Sequence, residues 1–136
     1  MQRIEILAIV DITKADNIHE FVRFIDNNNG KNQYTNALIS EVYPGSIISL
    51  KITGLSDQPI IFNEASPFVV DSGSDIFQEF PIMISNDLIK GTVNKDAPEG
   101  EKLKYSINFI VEGVAYHADP ELLVTPPPPP PPPSND

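Results

Sequence analysis

Tyr105-Ser106-Ile107-Asn108-Phe109-Ile110-Val111-Glu112-Gly113-Val114-Ala115-Tyr116 decides the fold of this chain. Tyr105, Ile107, Phe109 and Val111 fall at alternate positions, so an extended backbone sets them on one face. Glu112-Gly113 makes a two-residue hairpin turn, with glycine supplying the positive φ. Val114 and Tyr116 return opposite Val111 and Phe109. Asp119-Pro120 then breaks the ladder, and Leu122-Leu123-Val124 closes the domain. The period is two, and no long helical period occurs anywhere in the chain.

The same alternation opens the sequence. Ile4, Ile6, Ala8, Val10 and Ile12 point one way; Arg3, Glu5, Leu7, Ile9 and Asp11 point the other. One face is wholly apolar and the other mixed, as in a strand of a two-sheet structure. Asp16 to Glu20 can hold a helical turn. Phe21 to Ile25 is apolar again, and Asp26-Asn27-Asn28-Asn29-Gly30 is a turn signal. Gln33 to Val42 is expected to pair back, ending at Tyr43-Pro44-Gly45.

Between these ends lie more short strands. In Ser46 to Thr53, Ile48, Leu50 and Ile52 are expected inward, with Ser49, Lys51 and Thr53 outward. Gly54 to Pro59 is a turn and Ile60 to Asn63 begins another strand. Ile76 to Ile84 is extended, and Pro81 within it marks an edge or a bulge. Leu88 to Val93 is short, and Asn94 to Lys102 is a charged loop. About eight short strands separated by turn residues predict an all-β chain, an antiparallel β-sandwich, over residues 1–125.

Eight consecutive prolines follow: Pro126, Pro127, Pro128, Pro129, Pro130, Pro131, Pro132 and Pro133, with Ser134-Asn135-Asp136 after them. Proline has a fixed φ and no backbone donor. The run is expected to form a polyproline II tail over residues 126–136, its prolines spanning roughly 25 Å at about 3.1 Å per residue. All eight prolines are expected to serve as the partner-binding segment, since such a rod suits the aromatic grooves of polyproline-recognising proteins. No Lys or Arg flanks it, unlike the usual PxxP ligands. A rigid spacer and a low-complexity end are the other readings.

The chain has 136 residues, no cysteine and 40% hydrophobic residues. One domain of this length buries a core without staples. The lack of cysteine excludes disulfides, thiolate nucleophiles, iron–sulfur clusters and cysteine-bound zinc. Nine Lys and Arg against nineteen Asp and Glu give a net charge of −10. Such a surface repels phosphate backbones and anionic membranes, so neither nucleic acid nor membrane is an expected partner. The first apolar stretch, Ile6 to Val10, is too short for a secretory segment, and the protein is expected in the cytoplasm.

No nucleophile elbow, P-loop or dinucleotide fingerprint is present. His19 and His117 lie far apart and read as surface histidines. Asp71-Ser72-Gly73-Ser74-Asp75, with Glu79 beyond, has oxygen ligands at alternate positions that suit calcium. The plainer reading is a solvated loop of turn-forming residues. Asn28, Asn29 and Tyr34 lie in an amide-rich stretch that suits sugar hydroxyls, and whose plainer reading is a hairpin turn.

Ile6-Leu7-Ala8-Ile9-Val10-Asp11 at the start resembles the bacterial inclusion-body protein family of the PixA/AidA type. So do Tyr105 to Val111, Gly113 and Asp119-Pro120 at the end. The chain has no tryptophan, where that family often places one just before the Asp-Pro. The resemblance implies a small cytoplasmic β-rich protein, of a kind some of whose members accumulate in intracellular inclusions. It supplies no catalytic residues to carry over, and no cofactor is expected, with calcium at the acidic stretch as the one candidate. The expected function is therefore non-enzymatic binding or self-assembly, with a homo-oligomer the expected state. A carbohydrate- or calcium-dependent ligand-binding module is the alternative, and a hydrolase built on paired carboxylates ranks third.

Overall fold

A computed structural model describes residues 3–28, 30–55 and 59–127, with only the backbone at 18–19. The expected surface position of His19 lies outside the described residues. So does the expected polyproline II form of Pro128, Pro129, Pro130, Pro131, Pro132 and Pro133; of the proline run, only Pro126 and Pro127 are described. Among the described residues eleven strands form two sheets of a β-sandwich. The first sheet contains β1 (Arg3–Val10), β2 (Val22–Asp26), β4 (Ile47–Gly54), β7 (Phe77–Ser85) and β8 (Leu88–Val93). Its order is β2-β1-β4-β8-β7. The second contains β3 (Ile39–Val42), β5 (Ile60–Phe62), β6 (Phe68–Ser72), β9 (Lys102–Val111), β10 (Val114–Ala118) and β11 (Glu121–Val124). Its order is β10-β9-β11-β3, with β5 and β6 also paired to β9. A single helical turn, Ile18–Phe21, leads into β2.

The alternation sets the core. Ile4, Ile6, Ala8 and Val10 of β1 are buried, as are Ile48, Leu50 and Ile52 of β4 and Tyr105, Ile107, Phe109 and Val111 of β9. Aromatic rings join the sheets at two places. Phe21 lies edge-on to Tyr116 at 4.7 Å, and Phe68 of β6 lies edge-on to Phe77 of β7 at 5.6 Å. Such pairs add to the stabilisation that area burial gives.

The hairpin forms as its sequence predicts. Val114 pairs with Val111 and Tyr116 with Phe109. Glu112 (φ 50°) and Gly113 (φ 78°) both take positive φ, the type I′ geometry that matches strand twist. Tyr43-Pro44-Gly45-Ser46 is a turn closed by Ser46 N donating to Tyr43 O at 3.0 Å, with Gly45 at φ 82°.

The sandwich differs from an antiparallel one at two pairings. β1 runs parallel to β4, and β3 parallel to β11. Side-chain alternation is the same in either direction, so it carries no information on strand polarity. The expected polar loop also begins later than its composition indicates. Asp71 and Ser72 end β6, and Ser72 pairs with Lys104. Gln33 to Leu38 is irregular apart from an isolated bridge between Thr35 and Phe24, and only Ile39–Val42 is a strand, with Ile39 also bridged to Lys31. Pro81 does mark an edge, since β7 is the last strand of its sheet and its register shifts repeatedly against β8. No helix among the described residues is long and apolar enough to cross a membrane.

Candidate functional site

The amide-rich stretch is a closed knot around Asp26. Its Oδ1 accepts from Asn28 N at 3.0 Å, Gly30 N at 3.1 Å and Gln33 Nε2 at 2.6 Å. Gly30 packs so closely under this carboxylate that a Cβ there would also lie 2.8 Å from Ile39 O. Asn28 spends its amide internally, donating to Glu41 O at 2.9 Å and accepting from Tyr43 Oη at 2.8 Å. Asn29 lies outside the described residues. Tyr34 makes no side-chain hydrogen bond to the Asp26 cluster among the described residues. Its side chain is 47% exposed, its φ is 61°, and the Arg23 guanidinium sits 4.9 Å from its ring centre. A left-handed backbone is uncommon for a ring-bearing residue. Arg23, Asn32, Tyr34, Thr35 and Asn36 line a shallow cleft of about 490 Å³.

The three acidic residues suited to calcium have separate tasks. Asp71 accepts a hydrogen bond from Ser106 Oγ. Asp75 accepts from Phe77 N at 2.9 Å, an Asx turn that starts β7. Glu79 lies on β7 and is exposed. Among the described residues, no group of three or more His, Asp or Glu is placed to hold a metal ion.

A polar group that sequence reading does not assemble lies on the outer face of the second sheet. Ser106 alternates with the buried Tyr105 and Ile107, so its hydroxyl points outward. It lies within hydrogen-bonding reach of both Asp71 and Asp119, the latter at 2.6 Å. His117 Nε2 is 3.9 Å from the other oxygen of Asp119, and its side chain is exposed as expected. Serine, histidine and aspartate thus meet, but in the wrong order for a nucleophile. A triad needs the base against the serine hydroxyl and the carboxylate behind the base. Here carboxylates hold the hydroxyl, and the imidazole touches only a carboxylate. The two carboxylates bracket Ser106, and the adjoining hollow of about 390 Å³ takes in Asp119 but not Asp71.

The most exposed apolar group is on β7. Phe80 is 44%, Ile82 60% and Ile84 56% exposed, at alternate positions of an edge strand. Asn86-Asp87 then turns the chain into β8. Phe80 still touches Phe68 and Phe77 in edge-to-face contact at 5.6 and 5.7 Å, so the apolar edge is continuous with the core. Of the proline segment expected to bind a partner, Pro126 and Pro127 are exposed. Pro128, Pro129, Pro130, Pro131, Pro132 and Pro133 lie outside the described residues, so no groove or contact is assigned to them.

The fold is shared with a solved inclusion body protein (PixA) from Burkholderia cenocepacia J2315. The superposition has a TM-score of 0.61 and covers 92% of this chain and 94% of that one, at 14% identity. The likeness first visible at the two ends of the sequence therefore extends to the architecture of nearly the whole chain. At such identity it is a likeness of fold. No family model matches the chain, and no curated protein matches it.

Proposed function

We propose that this chain is a non-enzymatic binding or self-assembly protein of the inclusion-body type, working in the cytoplasm, with further copies of itself as partner. The observation that carries the reading is the apolar edge strand β7. Edge strands present unpaired backbone groups and template pairing with another chain unless they are blocked. Ile82 lies in register with Lys90 and points outward from the edge, while Phe80, on the far side of a register shift, turns toward Phe68. Antiparallel pairing of two β7 strands about Ile82 sets that residue against its mate in the second copy. That is the self-complementarity a two-fold interface requires. Pro81 removes one donor from the edge, which shortens the backbone ladder and leaves apolar side-chain contact as the main attraction. The shared fold with an inclusion body protein supports the same reading.

Size-exclusion chromatography with light scattering over a concentration series tests it. The reading expects a mass above the monomer that grows with concentration. A monomer at every concentration contradicts it. Pro126 to Pro133 remain the segment for a polyproline-recognising partner. The net charge of −10 argues against nucleic acid and anionic membranes as partners.

A second reading, a ligand-binding module, is favoured by the exposed Tyr34 ring beside Arg23 and the amides of Asn32 and Asn36. Planar rings and amides are the groups that sugar-binding clefts use. A glycan array tests it directly. Thermal melts in calcium and in EDTA test the calcium-dependent form, since a ligand held only by the native state raises the melting temperature. An unchanged melt at millimolar calcium removes that form.

A further inference from the structure

The outer face of the first sheet carries a groove of about 460 Å³ across β1, β4 and β8. Its cause is one small residue at the centre of the face. In register, Glu5 of β1 sits beside Ser49 of β4, and Ser49 beside Lys90 of β8. The next row along runs Ile25, Leu7, Lys51 and Leu88. Ser49 is thus ringed by longer side chains, and the surface dips over it. Ile48 and Leu50 on either side point into the core, so Ser49 lies on the groove side of the sheet, its hydroxyl covered by the longer side chains around it.

Two independent features point to a ligand there. Ser49 faces outward, as its place in the alternation predicts, yet the residue is only 8% exposed and its hydroxyl has no hydrogen-bond partner. A buried hydroxyl without a partner is an unmet demand. The second feature is charge. Three of the nine cations, Arg3, Lys51 and Lys90, border this groove in a chain of net charge −10. None of the three makes an ion pair or a side-chain hydrogen bond with a described residue. Glu5 and Asp26 also border the groove, which leaves its balance positive. Leu7, Ile25 and Leu88 supply an apolar wall, half-buried and uncovered.

We propose that this groove binds a small amphiphilic anion, a carboxylate with a short apolar body such as a medium-chain fatty acid. The head group lies among Lys51, Lys90 and Arg3, whose side chains part as it seats and let it accept from the Ser49 hydroxyl beneath. The body lies along Leu7, Ile25 and Leu88. The volume suits such a ligand, since small-molecule sites run from about 300 to 1,000 Å³. The proposal is independent of self-assembly, because every residue it uses belongs to one copy.

Titration calorimetry with decanoate tests it, with decyltrimethylammonium, its cationic counterpart of similar chain length, as the control. The proposal expects saturable binding of decanoate at one site and none of the cation. The double variant Lys51→Ala/Lys90→Ala binds at least ~10-fold more weakly at an unchanged melting temperature. Ser49→Ala, which removes the hydroxyl without adding bulk to the groove, also weakens binding. The absence of saturable decanoate binding overturns the proposal. So does equal binding of both amphiphiles, or decanoate affinity unmoved in the double variant. The comparison of the two amphiphiles uses only the unmodified protein and stands even if a variant fails to fold.

Discussion

Tyr105 carries its hydroxyl into the centre of the molecule, where the side chain is fully buried and the hydroxyl has no hydrogen-bond partner. Burial first, and then the charge of Asp26, push its phenol well above its ordinary value of 10.0. A phenol whose native value is raised contributes its stability in full below the unfolded value. That contribution is lost as pH rises, because the unfolded chain gives up a proton that the native state keeps. The loss reaches about 1.4 kcal/mol per pH unit once the unfolded phenol ionises, above about pH 10. Tyr105→Phe keeps the ring and removes both the ionisation and the unsatisfied hydroxyl. It is expected to be neutral or stabilising by up to ~1 kcal/mol at neutral pH. Urea unfolding at neutral and at alkaline pH should show a smaller alkaline loss for Tyr105→Phe than for the unmodified chain. Equal losses would refute this account of the buried hydroxyl. Tyr105's place in the core is legible in the alternation around it. Its orphaned hydroxyl is not, because that depends on what the opposite sheet places nearby. Asn28 teaches the same lesson. Its side-chain type suits a sugar, but its amide closes a loop with Glu41 and Tyr43, residues thirteen and fifteen positions away.

Elements were legible where their geometry is local. The β9–β10 hairpin follows from alternation and one glycine, and its turn also contains the one feature of the hairpin that can be improved. Glu112 adopts φ 50° without the tolerance that asparagine has for this region. Glu112→Asn gives the favoured Asn-Gly pair and is expected to raise stability by roughly 0.5 kcal/mol. Thermal melts decide it, and an unchanged or lower melting temperature counts against a type I′ turn here. Pro81 likewise marks an edge from sequence alone. The parallel pairings β1–β4 and β3–β11 were not legible, since they join strands far apart in the chain. Strand β6 hides for another reason. Phe68-Val69-Val70 is a short apolar run rather than an alternation, and the acidic residues that follow it read as loop. The Asp71–Ser106–Asp119 group depends on that strand. Its members are 35 and 13 residues apart, and only the outward phase of Ser106 hints at it.

At the scale of the molecule, two opposed terms govern association. The net charge of −10 makes copies repel, and the apolar edge at β7 draws them together. Salt screens the first over a Debye length of about 10 Å at 0.1 M and leaves the second intact, so added salt should favour association. The tail is expected to be separable from the fold. Thr125 N donates to Val42 O at 2.9 Å, the last backbone hydrogen bond among the described residues, and Pro126 and Pro127 beyond it are exposed. Deleting residues 126–136 should change stability by no more than about 0.5 kcal/mol. A fall of several degrees in melting temperature would mean that the prolines pack on the domain, as against Tyr34 or Tyr43.

The central claim is that copies of this chain meet through β7, and light scattering on the unmodified protein and on Ile82→Lys tests it most directly. Ile82 is exposed, so the substitution leaves the core untouched, and across a two-fold it sets two lysines face to face. The account predicts a concentration-dependent mass above the monomer for the unmodified chain. For Ile82→Lys it predicts a monomer with the same melting temperature. An unmodified chain that stays monomeric, or a variant that associates as strongly as its parent, would contradict it.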